Sequence, residues 1–390
     1  MTIYPTKYVP NEQVRERMTF RERMTFIDGL RAIAALMVIL PHSYGIWDYN
    51  STSGYLSTFM KGYGSYYGRL GVPIFFVISG FAIAYSTRQV QFTPTWFRYF
   101  FIKRFIRLSP PYYFSILVVV LLSLLQRYFG RNALDSLPSP FQLFTHLLYL
   151  QNFFSYKNIN PVYWTLCIEI QLYIFFGLLM LALHFIFRRW FSIISNVIAW
   201  SFIFISLLSL TRPIVLIGNA TGIRIASGTG IENYVVFLPF WFMFSTGVIV
   251  WWGIEGVINR NVVWLYIAVL WLFTAITGEV EVMAATMTAT LIYLCGVLNK
   301  LHIWLNFKPL QFLGLASYSL YIIHVPVINF VMAIQNRLSR GGDFENFIFF
   351  LAVILLTIGA ATTIYYLVEV PSIQWARKII VPTNSERRKD

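Results

Sequence analysis

The sequence predicts an all-α fold, a polytopic bundle of about ten transmembrane helices. Hydrophobic residues make up 57% of the 390 residues and charged residues only 12%, whereas a soluble domain carries about 25% charged residues. The mean hydropathy is +0.63, and apolar runs recur from one end of the chain to the other. We therefore expect one membrane-embedded domain and not a pair of soluble ones.

Apolar runs long enough to cross a bilayer define the predicted transmembrane helices. A helix needs roughly 20 apolar residues to span the hydrocarbon core. Runs of about this length lie at 27–47, 70–87, 111–129, 163–187, 191–210, 235–252, 262–278, 281–298, 311–335 and 346–369. A further run, 141–154, is too brief to cross comfortably, so we expect it to form a short re-entrant or interfacial helix.

The distribution of lysine and arginine predicts the orientation of the bundle. With the N-terminus inside, the inner segments hold 20 of the 30 Lys and Arg residues, and the outer segments with the helix ends hold nine. Cytoplasmic loops of membrane proteins carry such an excess, so both termini are expected to be cytoplasmic. This gives a basic lead-in at 1–26, a transmembrane domain at 27–371 and a basic tail at 372–390.

Other features of the sequence exclude several classes of protein. Residues 1–26 are polar and have no short apolar core, so no cleavable signal peptide is expected. Cys167 and Cys295 lie in apolar segments far apart, which indicates neither a disulfide framework nor a metal site. The net charge of +14 fits positive-inside loops, and no nucleic-acid binding is expected.

The sequence RERMTF occurs twice in tandem, at 15–20 and 21–26. The repeat either lengthens an amphipathic helix near anionic headgroups or is a neutral duplication.

The first predicted helix carries polar residues that a bilayer does not explain. Arg31 and His42 are eleven residues apart, about 20° from whole turns, so they share one helix face at roughly 16 Å axial separation. An unsatisfied charge at the membrane centre costs about 2.5 to 3.5 kcal/mol, which favours a protein interior or a watery cavity beside this face. Alternatively, Arg31 snorkels or pairs with Asp28, and His42 is a satisfied core histidine.

Six sequence blocks resemble, in order, those of the acyltransferase 3 family of membrane acyltransferases. The first, DGLRAIAALMVILPH (28–42), has the family's Asp-Gly-Leu-Arg opening and a histidine separated from the arginine by ten residues. The others are GVPIFFVISGF (71–81), RFIRLSPPYY (104–113), YWTLCIEIQLYIFF (163–176), SYSLYIIHVPV (317–327) and LVEVP (367–371). Together they extend over nearly the whole chain.

This resemblance implies an integral membrane enzyme of the bacterial cytoplasmic (inner) membrane. Such enzymes move an acyl group, commonly acetyl, from cytoplasmic acetyl-CoA to a hydroxyl, often of a cell-surface or exported carbohydrate. Acetyl-CoA is therefore the expected co-substrate, without a metal, and the expected partners are the lipid bilayer and a carbohydrate acceptor. Only 19 residues follow residue 371 in this sequence, and no extracytoplasmic domain is expected there. The expected transfer is then by this chain alone, by a homo-oligomer or with separate polysaccharide assembly proteins.

The resemblance also gives expected roles to the polar residues. His42 matches the family's catalytic histidine, and an imidazole of pKa about 6.5 suits a general base; an acyl-imidazole intermediate is the open alternative. Arg31 is expected to hold donor phosphate or to stabilise developing negative charge. Arg104 and Arg107 share one helix face and are expected to bind the phosphates of coenzyme A, although positive-inside bias alone would also place them there.

A carboxylate is a further catalytic candidate, and an aromatic segment is a candidate for the cofactor site. Glu169 lies inside a predicted span, where it must be paired or protonated. It is expected to orient His42, to bind the acceptor sugar or to pair with an inward arginine. Phe75, Phe76 and Ser79 are expected at the cofactor site. Ser79 is not expected to be a nucleophile, and the glycine after it is expected to allow close helix approach.

Trp164, Tyr44 and His324 are the candidate acceptor-binding residues. Trp164 suits a sugar-stacking platform or an interfacial aromatic belt. His324 is a second intramembrane histidine. Its expected role is to contact the substrate, to take part in catalysis or to pack in the protein core. The segment 211–234 is the longest outer loop and a candidate acceptor region by its position.

Two other functions are compatible with these residues. A transporter or proton-coupled permease would use the same intramembrane Arg, His and Glu in a proton relay, but no repeat symmetry is visible in the sequence. A scaffold for polysaccharide assembly would leave the buried ionisable residues unexplained.

Overall fold

The computed structural model describes residues 23–47, 58–59, 62, 70–128, 137–187, 194–210, 235–339 and 342–379. Within these ranges the chain is helical and contains no strand, as the sequence predicts. Most of the lead-in with its RERMTF duplication, the loop 211–234 and the end of the basic tail lie outside the described residues.

The described helices have the following bounds. In the first half of the chain they are α1 (Thr25–His42), α2 (Tyr44–Trp47), α3 (Gly71–Ser86), α4 (Pro94–Tyr128), α5 (Pro140–Leu147), α6 (Trp164–Phe187) and α7 (Ile194–Leu210). In the second half they are α8 (Trp241–Glu255), α9 (Arg260–Thr277), α10 (Val280–Val297), α11 (Lys308–Leu315), α12 (Ser317–Leu338), α13 (Asp343–Ile364) and α14 (Val370–Lys378). A 3₁₀ turn at Leu238–Phe240 precedes α8, and a π-helical turn at Tyr365–Glu369 joins α13 to α14.

Seven helical stretches in the described part of the chain are long and apolar enough to cross a membrane. They are Thr25–Trp47, Pro94–Leu125, Trp164–Ile186, Arg260–Thr277, Val280–Val297, Ser317–Leu338 and Asp343–Lys378. Gly71–Ser86 and Val197–Leu210 are shorter apolar helices. Every predicted span overlaps one of the described helices, so the architecture is that of an integral membrane protein.

Helix α4 is longer than the sequence analysis predicts. The loop-charge count assigns 88–110 to an inner segment, but residues 94–110 are helical and continue directly into the apolar run. Pro110 and Pro111 lie inside this helix. A proline removes one backbone donor, yet membrane helices tolerate it where neighbouring groups satisfy the freed carbonyls. Arg104 and Arg107 are therefore presented by a helix and not by a loop.

Helices α3 and α8 approach each other through two glycines. A Cβ atom at Gly80 would lie 1.8 Å from the carbonyl oxygen of Phe244, and one at Gly247 would lie 1.9 Å from that of Val77. Small residues at such crossings let helix backbones come close inside membranes. This reciprocal contact fixes the position of α3, and with it Ser79, in the bundle.

The beginning of α1 is docked on the segment that leads into α11. The Phe26 N–H donates to the Leu301 carbonyl at 3.0 Å, and Gln311 Nε2 donates to the Thr25 carbonyl at 2.8 Å. The first of these bonds satisfies a backbone donor at the helix start, where N–H groups lack partners within the helix. Both bonds also fix the turn of α1 that carries Arg31.

Helix α12 contains a proline whose missing hydrogen bond is replaced by side chains. Pro326 has no N–H to give to the Ile322 carbonyl four residues earlier. Ser115 Oγ donates to that carbonyl at 2.8 Å, and Asn160 Nδ2 donates to it at 3.2 Å. The replacement ties α12 to α4 and to the loop before α6, close to His324.

Helix α5 covers part of the short run at 141–154. It is eight residues long, about 12 Å at 1.5 Å per residue, and therefore too short to cross a bilayer. Ser139 caps its start by accepting a hydrogen bond from the Gln142 N–H at 3.1 Å. Turns follow it as far as α6. Its re-entrant or interfacial placement stays a prediction.

Candidate functional site

A cavity lies between α1, α3, α4, α6, α12 and the π-helical turn. Its five charged lining residues come from four separate segments: Arg31 from α1, Arg104 and Arg107 from α4, Glu169 from α6 and Glu369 from the π-helical turn. Aromatic side chains form much of the remaining wall. An apolar wall with a few convergent polar groups is typical of a ligand site.

Arg31 lines this cavity from α1. Asp28, its possible partner in the sequence, accepts hydrogen bonds from Arg23 at 3.0 and 3.2 Å. The hypothesis of an Arg31–Asp28 ion pair is therefore wrong, because Asp28 is already paired. Among the described residues, none forms a salt bridge with Arg31, so its guanidinium group is available to a ligand.

Arg104 and Arg107 line the same cavity from α4. Arg104 Nη2 donates to Ser86 Oγ at 3.0 Å. Its guanidinium carbon lies 5.7 Å from the Phe100 ring centroid and 5.6 Å from that of Tyr173, within the range of cation–π attraction. Arg104 is thus held in place from two sides, whereas Arg107 forms no salt bridge within the described ranges.

Glu169 is held by neighbours on α3 and α6. Ser79 Oγ donates to Glu169 Oε1 at 3.0 Å, and the Tyr173 hydroxyl donates to the same oxygen. Both bonds use Oε1, so the second oxygen keeps its acceptor capacity in the cavity. The hypothesis that Glu169 orients His42 is not supported by this arrangement, because Ser79 and Tyr173 are its hydrogen-bonding partners.

Glu369 is a cavity residue to which the sequence analysis gives no role. It belongs to the π-helical turn and is only 3% exposed. Ser319 Oγ donates a hydrogen bond to its Oε2 at 2.5 Å. The signal that could have identified it is a single carboxylate in the last apolar run, within LVEVP. Ser317, Tyr318 and Tyr321 of α12 also line the cavity without having been singled out for it.

The chemistry of the cavity suits a ligand with an anionic part and a neutral part. Three guanidinium groups can bind phosphate or carboxylate oxygens through charge-assisted hydrogen bonds. Phe75 and Phe76 line the wall between them; Phe75 contacts the Tyr321 ring edge to face at 5.7 Å between centroids. Phe75, Phe76 and Ser79 are therefore brought together with the arginines.

His42 and His324 form a pair next to this cavity. Their ring centroids are 5.0 Å apart in an edge-to-face arrangement. His42 Nδ1 lies 2.7 Å from the Val38 carbonyl oxygen, and His324 Nδ1 lies 2.7 Å from that of Tyr321. Because a carbonyl oxygen only accepts, Nδ1 carries the proton in each neutral ring and Nε2 is left as a bare acceptor.

The histidine pair is connected to the cavity through Tyr321. Tyr321 lines the cavity, and its ring centroid lies 5.9 Å from that of His324. His42 is exposed and is not among the lining residues; His324 is completely buried. The structure thus brings Arg31 into the cavity and His42 to its neighbourhood, further along α1.

The candidate acceptor residues are not brought together. Trp164 is 6% exposed and packs against Phe240 with 5.5 Å between ring centroids. Trp164 is not among the residues that line the cavity, and its two sequence-based roles stay predictions. Tyr44 lies in α2, but its side chain, like the loop 211–234, is outside the described part of the chain.

Comparison with known proteins gives a consistent set of relatives. The family model of acyltransferase 3, an acyltransferase domain, matches residues 24–366. The chain is 27% identical over 386 residues to the O-acetyltransferase OatA of Staphylococcus aureus (strain NCTC 8325 / PS 47), covering 91% of this chain and 58% of that protein. It is 27% identical over 361 residues to the peptidoglycan O-acetyltransferase OatA of Listeria monocytogenes serovar 1/2a, covering 84% and 50%.

The coverage of these relatives is partial. The chain spans 58% and 50% of their lengths. No solved structure gives a significant match.

Proposed function

The chain belongs to the acyltransferase 3 family, and from this we propose that it is a membrane O-acetyltransferase. In this proposal it transfers an acetyl group from cytoplasmic acetyl-CoA to a hydroxyl of a cell-surface or exported carbohydrate. The observation that carries the proposal is the cavity in which three arginines interrupt a largely aromatic and apolar wall. Acyl-CoA has the same two-part character, a phosphate-bearing head and a neutral arm.

In this proposal the three arginines bind the phosphate groups of the donor. Guanidinium groups recognise phosphate through paired, charge-assisted hydrogen bonds. Arg104 is fixed by Ser86 and supplies a preorganised charge, while Arg31 and Arg107 provide unpaired guanidinium groups. The aromatic wall formed by Phe75 and Phe76 accommodates the neutral part of the donor.

His42 is assigned the general base. Its Nδ1 proton is donated to Val38, so Nε2 can take the proton of the acceptor hydroxyl while that oxygen attacks the thioester carbonyl carbon. The carbon–sulfur bond then breaks, and the proton passes from His42 to the departing thiolate. The long arm of CoA between phosphate and thioester suits the roughly 16 Å that separate Arg31 from His42 along α1.

A second route uses the same lone pair as a nucleophile. His42 Nε2 would attack the thioester carbonyl carbon, the carbon–sulfur bond would break, and the departing CoA thiolate would take up the proton lost from Nδ1. The acceptor hydroxyl would then attack the acetyl-imidazole, and its proton would return to the imidazole as the carbon–nitrogen bond breaks. Mixing the protein with acetyl-CoA in the absence of acceptor separates the two routes. Only the second route yields a His42 peptide heavier by one acetyl group when the mixture is quenched and measured by mass spectrometry.

The proposed acceptor class is a carbohydrate, and peptidoglycan is its leading member. This assignment is supported by one relative that is named a peptidoglycan O-acetyltransferase. His324 is proposed to act at the acceptor side because it contacts His42. No acceptor role is proposed for Trp164, since it is buried against Phe240.

We also propose ten membrane spans with both termini in the cytoplasm, in the inner membrane of a bacterium. This topology is supported by the overlap of every predicted span with a helix and by the bias of 20 to nine Lys and Arg residues. The arginine-bearing parts of α1 and α4 then lie toward the cytoplasm, where acyl-CoA is made.

Mass spectrometry of surface glycans tests the proposed function. Cells with and without the gene are compared for the mass of one acetyl group on peptidoglycan and other exported glycans. We expect the acetylated species to disappear with the gene and to return with a plasmid copy. Identical glycans in both strains, together with substrate counterflow by the purified protein in liposomes lacking acetyl-CoA, would support a transporter instead.

A further inference from the structure

Glu369 is a buried carboxylate without a close cation. The residue is 3% exposed, and its side chain lines the cavity together with Arg31 and Arg107. The salt bridge found within 4.0 Å in the described ranges is that of Arg23 with Asp28, so Glu369 pairs closely with none of the arginines. A buried carboxylate is costly unless charge or hydrogen bonding compensates it.

Ser319 of α12 fixes the Glu369 carboxylate by hydrogen bonding. Ser319 Oγ donates to Glu369 Oε2 at 2.5 Å, and Ser319 itself is completely buried. The orientation of the group is therefore set by α12, while its negative charge stays directed to the cavity.

The backbone at Glu369 departs from the regular helix. Residues Tyr365–Glu369 form a π-helical turn between α13 and α14. Such turns are rare, and they occur frequently at functional sites. An inserted residue changes the helix face that follows by about 100°, which gives a physical reason why this carboxylate reaches the cavity although much of α13 is exposed.

The charges of the cavity explain what Glu369 can do there. Three arginines and two glutamates line it, and Glu169 is already occupied by Ser79 and Tyr173. Arg31 and Arg107 line the same cavity as Glu369, and neither lies within 4.0 Å of its carboxylate oxygens. A carboxylate across the cavity attracts the two guanidinium groups without using up their N–H donors, as a close ion pair would.

We propose that Glu369 is a positioning residue of the donor site: anchored by Ser319, it holds Arg31 and Arg107 in the arrangement that receives the donor's phosphate groups. This inference rests on the proposed use of acyl-CoA as donor. It gives the carboxylate a role through charge and through the two arginines, not through contact with the reacting atoms.

Two donors separate this role from a purely structural one. Acetyl transfer is measured with acetyl-CoA and with S-acetylpantetheine, which keeps the thioester arm but has no phosphate. Glu369→Gln keeps the shape and can still accept the Ser319 hydrogen bond, but it loses the charge. We expect its KM for acetyl-CoA to rise about tenfold with little change in kcat, and its KM for S-acetylpantetheine to change by less than about twofold.

Matched variants complete the test. Glu369→Asp keeps the charge and is expected to stay within about threefold of the wild-type KM. Glu255→Gln removes a carboxylate at the exposed end of α8 and is expected to change neither donor's KM. In an Arg107→Gln background, Glu369→Gln is expected to have a smaller effect, because the two residues act as a unit. Should Glu369→Gln unfold in detergent, Ser319→Ala takes its place, with a rise in KM for acetyl-CoA alone expected.

Each contrary result overturns a definite part of the account. An unchanged KM for acetyl-CoA in Glu369→Gln refutes the positioning role. A lower KM refutes it too, because it would indicate that the carboxylate simply repels the donor's phosphate groups. Equal rises with both donors refute it too, since they indicate contact with the arm or a packing defect. A wild-type protein that transfers acetyl from neither donor refutes the proposed function itself and this inference with it.

Discussion

At the residue scale, one hydrogen bond gives the two nitrogens of His42 different roles. Nδ1 is committed to the Val38 carbonyl at 2.7 Å, so the neutral ring has its lone pair on Nε2. The neighbouring His324 is fixed in the same tautomer by Tyr321. The histidine pair therefore has two bare imidazole acceptors side by side, and the one on His42 is exposed, as the proposed base requires.

Replacement of His42 by alanine should abolish most of the acetyl transfer. Loss of a positioned general base typically costs 10²- to 10⁴-fold in rate, about 3 to 5 kcal/mol. The check is acetyl transfer by purified His42→Ala, with thermal unfolding in detergent to establish that it is folded. His302→Ala, at an exposed histidine, is the control and should keep wild-type activity. A folded His42→Ala protein with normal rates would exclude the assigned base.

Replacement of Arg107 by glutamine should weaken donor binding. The variant loses one charge-assisted contact to phosphate, worth about 1.5 to 3 kcal/mol, so KM for acetyl-CoA should rise about 10- to 100-fold. Arg98→Gln, an exposed arginine of the same helix α4, is the matched control. If both variants raised KM equally, the effect would come from general positive charge and not from the cavity.

The sequence identifies some of these residues and misses others for a physical reason. Arg31 and His42 stand out because a charge within an apolar helix needs an explanation in any fold. The pairing of Asp28 with Arg23, and the place of Glu369 in the cavity, depend on how distant segments meet. Spacing along one helix carries no information about such contacts.

At the scale of the elements, the glycine crossing of α3 and α8 positions one wall of the cavity. Gly80 and Gly247 each leave room for a carbonyl oxygen of the other helix. The residue beside this crossing, Ser79, donates to Glu169. A displaced α3 would therefore alter the cavity wall as well as the packing.

A methyl group at Gly80 should destabilise the protein. A Cβ there would meet the Phe244 carbonyl oxygen at 1.8 Å, so the helices must separate, at a cost of about 1 to 3 kcal/mol or more. Gly359→Ala is the control, because a Cβ at that helical position meets nothing within 4 Å and alanine favours the helix by roughly 0.5 to 1 kcal/mol. Thermal unfolding in detergent should show a lower Tm for Gly80→Ala only; equal Tm values would contradict the crossing.

The extent of α4 shows where sequence patterns fail at this scale. Residues 94–110 contain several basic residues and end in two prolines, a pattern that indicates a loop end before a span. The structure continues the helix through them. Packing against neighbouring helices determines where such a helix begins, because an apolar run predicts only the part of a helix that lies in the hydrocarbon core.

At the scale of the whole molecule, the orientation in the membrane decides which substrate can reach the cavity. The proposed topology places both termini and the arginine-bearing ends of α1 and α4 on the cytoplasmic side. It also places the turn between α9 and α10 on the outer side. Acyl-CoA then approaches from one side of the membrane and the exported carbohydrate from the other.

Cysteine labelling should report this orientation. Cys167 and Cys295 are buried, so a membrane-impermeant maleimide should react weakly with the unmodified protein. Arg377→Cys, in α14, should be labelled only after the cells are permeabilised, whereas Thr277→Cys, at the end of α9, should be labelled in intact spheroplasts. The reverse pattern would invert the topology and contradict access of cytoplasmic acyl-CoA to the arginines.

The sequence predicts the helical membrane architecture well, because span length follows from bilayer thickness. The cavity could not be predicted in the same way. Its charged residues lie on α1, α4, α6 and the π-helical turn, and their convergence is a property of the assembled bundle.

The most direct test of the central claim is the transfer of radiolabelled acetyl by the purified protein in proteoliposomes. Labelled acetyl-CoA is supplied on the side of the termini and a soluble peptidoglycan fragment on the other side. We predict label on the fragment with wild-type protein and none above background with His42→Ala. Equal labelling by both proteins, or no labelling by an intact wild-type protein, would contradict the account.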